Sequence, residues 1–111
     1  MRKPVPEFLE FLKMKVGYCS IKFILHGARS LKEKRRVIKT IKDRVKNKFN
    51  VSIAEVGGQD VWGALHLGIA VVGSDSRYLE GLMSQTVNFI DLMYLADITE
   101  HQTEVIHLKS D

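Results

Sequence analysis

The strongest constraint in this chain is a change of hydrophobic period that occurs twice. From Lys15 to His26 the residues Gly17, Cys19, Ile21, Phe23 and Leu25 take every second position, the signature of a strand buried on one face. Beyond Gly27 and Ala28 the period lengthens: Leu31, Ile38, Ile41 and Val45 fall within about 80° of one another on a wheel of 100° steps, as a helix packing face requires. No Gly or Pro interrupts residues 31–48. Residues 50–56 and 61–72 then return to strand composition around the turn Gly57-Gly58-Gln59-Asp60, which predicts a hairpin with a loop of about four residues. A second helical repeat (Leu79, Leu82, Met83, Thr86, Phe89, Ile90) spans 76–91, and a polar strand over 96–108 closes the domain. The order strand, helix, strand, strand, helix, strand predicts an α+β ferredoxin-like βαββαβ sandwich, a four-stranded antiparallel sheet with both helices on one face.

Local chemistry agrees with these boundaries. Ser30-Leu31-Lys32-Glu33 is a capping box, in which the serine oxygen accepts from an early helical N–H and the glutamate reaches back. Gly73-Ser74-Asp75 punctuates and caps the second helix. Right-handed crossovers bring the 27–34 loop, the 57–60 turn and the 91–96 connection to one edge of the sheet. Residues 1–13, with Pro4 and Pro6 ahead of Phe8, Leu9, Phe11 and Leu12, are expected to form an N-terminal extension with a short helix, and residues 14–111 a single ferredoxin-like domain.

A chain of 111 residues is large enough for one core and too small for several. The lone Cys19 forms no internal disulfide, and no apolar run approaches the roughly 18 residues of a membrane span, so a cytoplasmic chain without membrane contact is expected. There is no phosphate-binding Walker loop, dinucleotide fingerprint or serine elbow. His26 and His66 are placed as possible cross-strand neighbours, with His101 or His107 approaching from the last strand, but no spacing supplies a metal-ligand set. Neither metal, cofactor nor catalytic residue is expected. An enzyme using Glu55 and Asp60 as acid and base is the weakest reading, since the pair has no nucleophile beside it.

Charge carries more information. The net +4 conceals ten basic residues against Glu33 and Asp43 in 29–48, and nine acids against Arg77 and Lys109 in 50–111. On the wheel Lys32, Arg35, Arg36, Lys39, Lys42 and Lys46 form one stripe, interrupted only by Asp43. Like charges at i,i+4 repel by a few tenths of a kcal/mol, and a polyanion would relieve them while releasing counterions. RNA is the partner this pattern predicts; a merely solvated lysine-rich face is the plain alternative. Arg29, Lys34, Glu55, Gln59, Asp60 and Trp62 are placed on the loop rim, where a helix N-terminus favours an anion, unless the acids simply pair with Arg29 and Lys34 and lock the loops. Lys34 is expected to reach from near the packing face toward that rim. The uncovered sheet face is expected to carry Tyr18, Lys22, His26, Trp62, Ala64, His66, Ala70 and Val72, a mixture that suits a homodimer contact better than base stacking.

The blocks 27–36 (Gly-Ala-Arg-Ser-Leu-Lys-Glu-Lys-Arg-Arg), 49–56 (Phe-Asn-Val-Ser-Ile-Ala-Glu-Val) and 59–62 (Gln-Asp-Val-Trp) closely resemble the YlxP-like family of small bacterial proteins. The resemblance runs from about Met14 to His107, and residues 1–13 depart from the usual family start. It implies a ferredoxin-like fold, no established enzymatic activity, and genes often placed beside transcription-termination, translation-initiation and ribosome-assembly factors. The family supplies no agreed catalytic residues. Together these lines predict a non-enzymatic RNA-binding or ribosome-associated protein acting through the basic face of its first helix; a homo-oligomeric interaction module, or one binding a small anionic ligand, is the alternative.

Overall fold

A computed structural model describes residues 13–108; the expected N-terminal extension lies almost wholly outside them. The elements are β1 (Lys15–Ile24), α1 (Leu31–Lys48), β2 (Ser52–Gly57), β3 (Ala64–Gly73), α2 (Ser76–Asp91) and β4 (Asp97–His107). The strands form one antiparallel sheet in the order β2-β3-β1-β4, the ferredoxin-like arrangement. Every second residue of β1 and β3 is buried beneath the helices: Cys19, Ile21 and Phe23, continued by Leu25, face Leu65, Leu67, Ile69 and Val71. Ile41 and Val45 of α1 and Leu79, Met83 and Ile90 of α2 close the core from above. Gly17 allows this approach, since a Cβ there would stand 2.6 Å from the Met83 Cε.

Both helices begin where their caps predict. The Glu33 N–H donates to Ser30 Oγ at 3.1 Å, and the Asp75 carboxylate accepts from the N–H groups of Arg77 and Tyr78. The capping box differs in one detail: the Glu33 carboxylate reaches one residue further back than expected, accepting from the Arg29 N–H.

The hairpin is corrected more substantially. Six residues rather than four separate β2 from β3, and Val61 and Trp62 belong to the loop, not to the strand. Gly58 turns the chain at φ 68°, and the Val61 N–H folds back to the Gly58 carbonyl at 3.0 Å. Ladder-like pairing resumes only at Gly63, whose carbonyl accepts from the Leu25 N–H. Trp62 is therefore not part of the open sheet face. The convergence of loops at one edge does occur: the start of α1 meets the β2–β3 loop, and His26 beyond β1 meets Asp97 at the start of β4 at 2.8 Å.

Candidate nucleic-acid interface

Helix α1 packs with Lys34, Ile41 and Val45 buried and leaves its other side to solvent. That outward side carries Lys32, Arg35, Arg36, Lys39 and Lys46 exposed and Lys42 half-buried, spread over about 21 Å of helix at 1.5 Å per residue. One member is partly neutralised: Lys39 Nζ donates to Asp43 Oδ2 at 2.7 Å. That hydrogen bond raises the Lys39 ammonium above its ordinary pKa and lowers the Asp43 carboxyl, which the charges of Lys46 and Lys42 depress further. Lys48 turns away from the stripe to lie 4.8 Å from the centre of the Phe89 ring, which meets Phe49 edge-on.

Between the stripe and β2 runs a shallow groove of about 260 Å³. Arg35, Lys39, Lys42 and Lys46 line it from the helix together with Asp43, Ile38 supplies its apolar surface, and Glu55 enters from β2. Glu55 is the one carboxylate that comes from the sheet.

The rim residues divide. Lys34 lies inside the molecule rather than on the rim, 1% exposed. Its ammonium donates to the carbonyls of Gly58 and Val61, the latter at 2.7 Å, and stands 3.3 Å from Glu55 Oε2 without hydrogen-bond geometry. Its interactions are thus internal, and they lock the hairpin loop to α1. Arg29, Gln59, Asp60 and Trp62 are all exposed, and among the described residues neither Arg29 nor Asp60 forms an ion pair. At the α1 start Ser30 Oγ accepts from the Glu33 N–H, while the Glu33 carboxylate accepts from the Arg29 N–H just ahead of the cap.

The histidines are separated, contrary to the expected cross-strand pair. His66 stands opposite Lys22 and pairs with Ser20 Oγ at 2.6 Å, whereas His26 pairs with Asp97. Among the described residues no three His, Cys, Asp or Glu side chains gather as a metal site. Cys19 is buried, and desolvation pushes its thiol pKa up despite a hydrogen bond from Thr103.

The open sheet face holds Tyr18, Lys22, Ala64, His66, Ala70 and Val72 as the alternation requires, together with Val56 from β2. Tyr18 donates its phenol to Glu104 on β4, which raises the phenol pKa, and Lys22 faces Glu100 at 3.5 Å. A feature the sequence did not disclose is a groove of about 830 Å³ between α2 and β4, with Val87, Ile98 and Val105 apolar and Glu80, Asp91 and Glu104 acidic. Its signal lay in the polar His101 and Thr103 at helix-facing positions of β4, a strand that α2 covers only in part, over Ile98 and Val105.

Comparison with known proteins gives one strong set of likenesses. Residues 16–103 match the model of the family described as "Protein of unknown function (DUF503)". The uncharacterized protein YlxP of Bacillus subtilis (strain 168) is 43% identical over 89 residues, covering 80% of this chain and 97% of that protein. Among solved structures, the structural-genomics protein YJCS matches at TM-score 0.49 and 8% identity over 80% of this chain and 96% of its own. A putative antibiotic biosynthesis monooxygenase from Chloroflexus aurantiacus matches at TM-score 0.48 and 12% identity, over 88% and 97% of the two chains.

Proposed function

Starting from the premise that the chain belongs to the DUF503 family, we propose that it is a non-enzymatic RNA-binding protein of the cytoplasm, associated with the ribosome, that docks on phosphates through α1. The observation that carries this reading is the placement of six cations on one side of one rigid helix, bordered by a groove, in a chain whose remainder after residue 49 is strongly acidic. Fixed positive charges at this density gain from phosphate by counterion release, a gain that shrinks steeply as salt rises. The family resemblance and its genomic setting support the ribosome as the location of that RNA.

Reversing Arg35, Lys39 and Lys46 to Glu tests the reading, because all three are exposed and outside the core. Retention on ribosomal RNA is expected to fall by at least about 100-fold at moderate salt, and wild-type affinity to drop linearly with the logarithm of salt concentration. Binding that ignores both the substitutions and the salt would remove the proposal.

A second reading, self-association, is favoured by the open face, where Val72 is 67% exposed, Val56 53% and Ile106 42%. Three strands of ten or eleven residues and one of six span roughly 600 Å² in projection, approaching the roughly 800 Å² per partner of an ordinary interface. Val72→Glu is expected to convert a dimer into a monomer in light scattering; a wild-type chain that is monomeric at high concentration excludes it.

A further inference from the structure

The groove beside α1 contains a contradiction that simple phosphate binding does not resolve. Four cationic side chains line it from the helix with Asp43, which is taken up by Lys39, yet the residue entering from the sheet is Glu55. The side chain of Glu55 is about three-quarters buried, with Oε2 turned inward, 3.3 Å from the Lys34 ammonium. Lys34 gives hydrogen bonds to Gly58 and Val61, and Oε2 accepts none. No ion pair within 4 Å joins Glu55 to Arg35, Lys39, Lys42 or Lys46 among the described residues. The carboxylate is thus held on its Oε2 side by a buried lysine, which leaves Oε1 as the oxygen that faces the groove.

An anion alone gains from the cations and loses against Glu55. A ligand with an anion at one end and an N–H donor at the other satisfies both. We propose that this groove takes one nucleotide of single-stranded RNA whose base bears an exocyclic amine, with the backbone phosphates that flank it spread over Arg35, Lys42 and Lys46 and the amine donating to Glu55 Oε1. Adenine, cytosine and guanine offer such an amine on the edge by which proteins read unpaired bases. Uracil offers only an imide N–H flanked by two carbonyl oxygens, and those oxygens meet the carboxylate as like partial charges. Ile38 supplies apolar surface for the ring. At about 260 Å³ the groove lies near the roughly 300 Å³ lower limit of small-ligand clefts, so it holds one base rather than a stacked series. Because Lys34 holds the carboxylate in position before the ligand arrives, little ordering cost is left for binding. This assignment rests on the RNA reading above and adds a preference to it.

Fluorescence anisotropy with end-labelled twelve-nucleotide A, C and U homopolymers, titrated with the full chain at several salt concentrations, tests it. The wild-type chain is expected to bind the A and C oligomers at least about tenfold more tightly than the U oligomer, the scale of one hydrogen bond to a charged group. Glu55→Gln, which offers the base a donor as well as an acceptor, is expected to bring the three within about twofold of one another by strengthening U binding, with the salt slope unchanged. Glu55→Asp retains the charge but withdraws it by one methylene, and it too is expected to lose the preference; thermal melts of both variants establish that they are folded. Equal wild-type affinities, or a preference that survives both substitutions, overturn the base-reading role and leave phosphate docking standing. Failure of all three oligomers to bind at low salt overturns phosphate docking and the base-reading role together.

Discussion

Lys34 is the residue whose surroundings matter most for stability. A lysine side chain has several methylenes for packing and an ammonium that must keep its partners; here two loop carbonyls and a carboxylate supply them within a buried site. Removing one partner from such a set costs more than the set contributes as a whole, because the remaining polar groups stay buried and unpaired. Lys34→Met, which preserves most of the volume, is therefore expected to lower the unfolding free energy by about 2–4 kcal/mol in urea titrations. Adding Glu55→Gln should restore part of that loss, since the stranded charge disappears. A double variant whose loss equals the sum of the two single losses would show that the pair is not coupled. The position was legible in part: with Ile38 at zero on the helical wheel, Lys34 falls at about 320°, between Ile41 at about 300° and Val45 at about 340°. Residue type argued for a reach to the rim, and position argued for the centre of the packing face. The structure follows position, because the loop beyond β2 brings its carbonyls to meet the ammonium.

At the level of elements, period and capping chemistry together were sufficient for α1 and α2, whose limits match those expected. Ser30 and Asp75 each satisfy early helical N–H groups, so the starts are chemically marked. The β2–β3 hairpin was less legible. Val61 and Trp62 have strand composition, but the Val61 N–H is used to close the turn on Gly58 and its carbonyl accepts from Lys34. Both backbone groups are thus used within the loop, and β3 starts three residues later than composition suggests. The stripe was readable because it depends only on helical periodicity. The groove beside it was not, because Glu55 is brought there by the pairing of β2 with β3, a contact between distant segments that no local pattern encodes.

For the whole molecule, charge is separated rather than merely summed. At the sequence pI of about 9.3 the net charge vanishes, yet the α1 side remains positive and the segments after residue 49 remain negative. A sulfonate cation exchanger is therefore expected to retain the protein at that pH, since a surface patch and not the average governs adsorption. Arg35→Glu with Lys46→Glu should elute at distinctly lower salt than Lys22→Glu with Arg77→Glu, although the two pairs change net charge equally. Identical elution would mean that the stripe has no special standing.

The layering of the fold has a further consequence. The α1 stripe and the open sheet face lie on opposite sides of the molecule, so occupying one leaves the other free. Two copies joined through their sheets would form a four-layered block with a basic helix on each outer surface, the two on the order of 40 Å apart. Such a block is a bivalent clamp: it gains nothing from a short RNA hairpin but can bridge two segments of one folded RNA, with the second attachment favoured by the high effective concentration that the first creates.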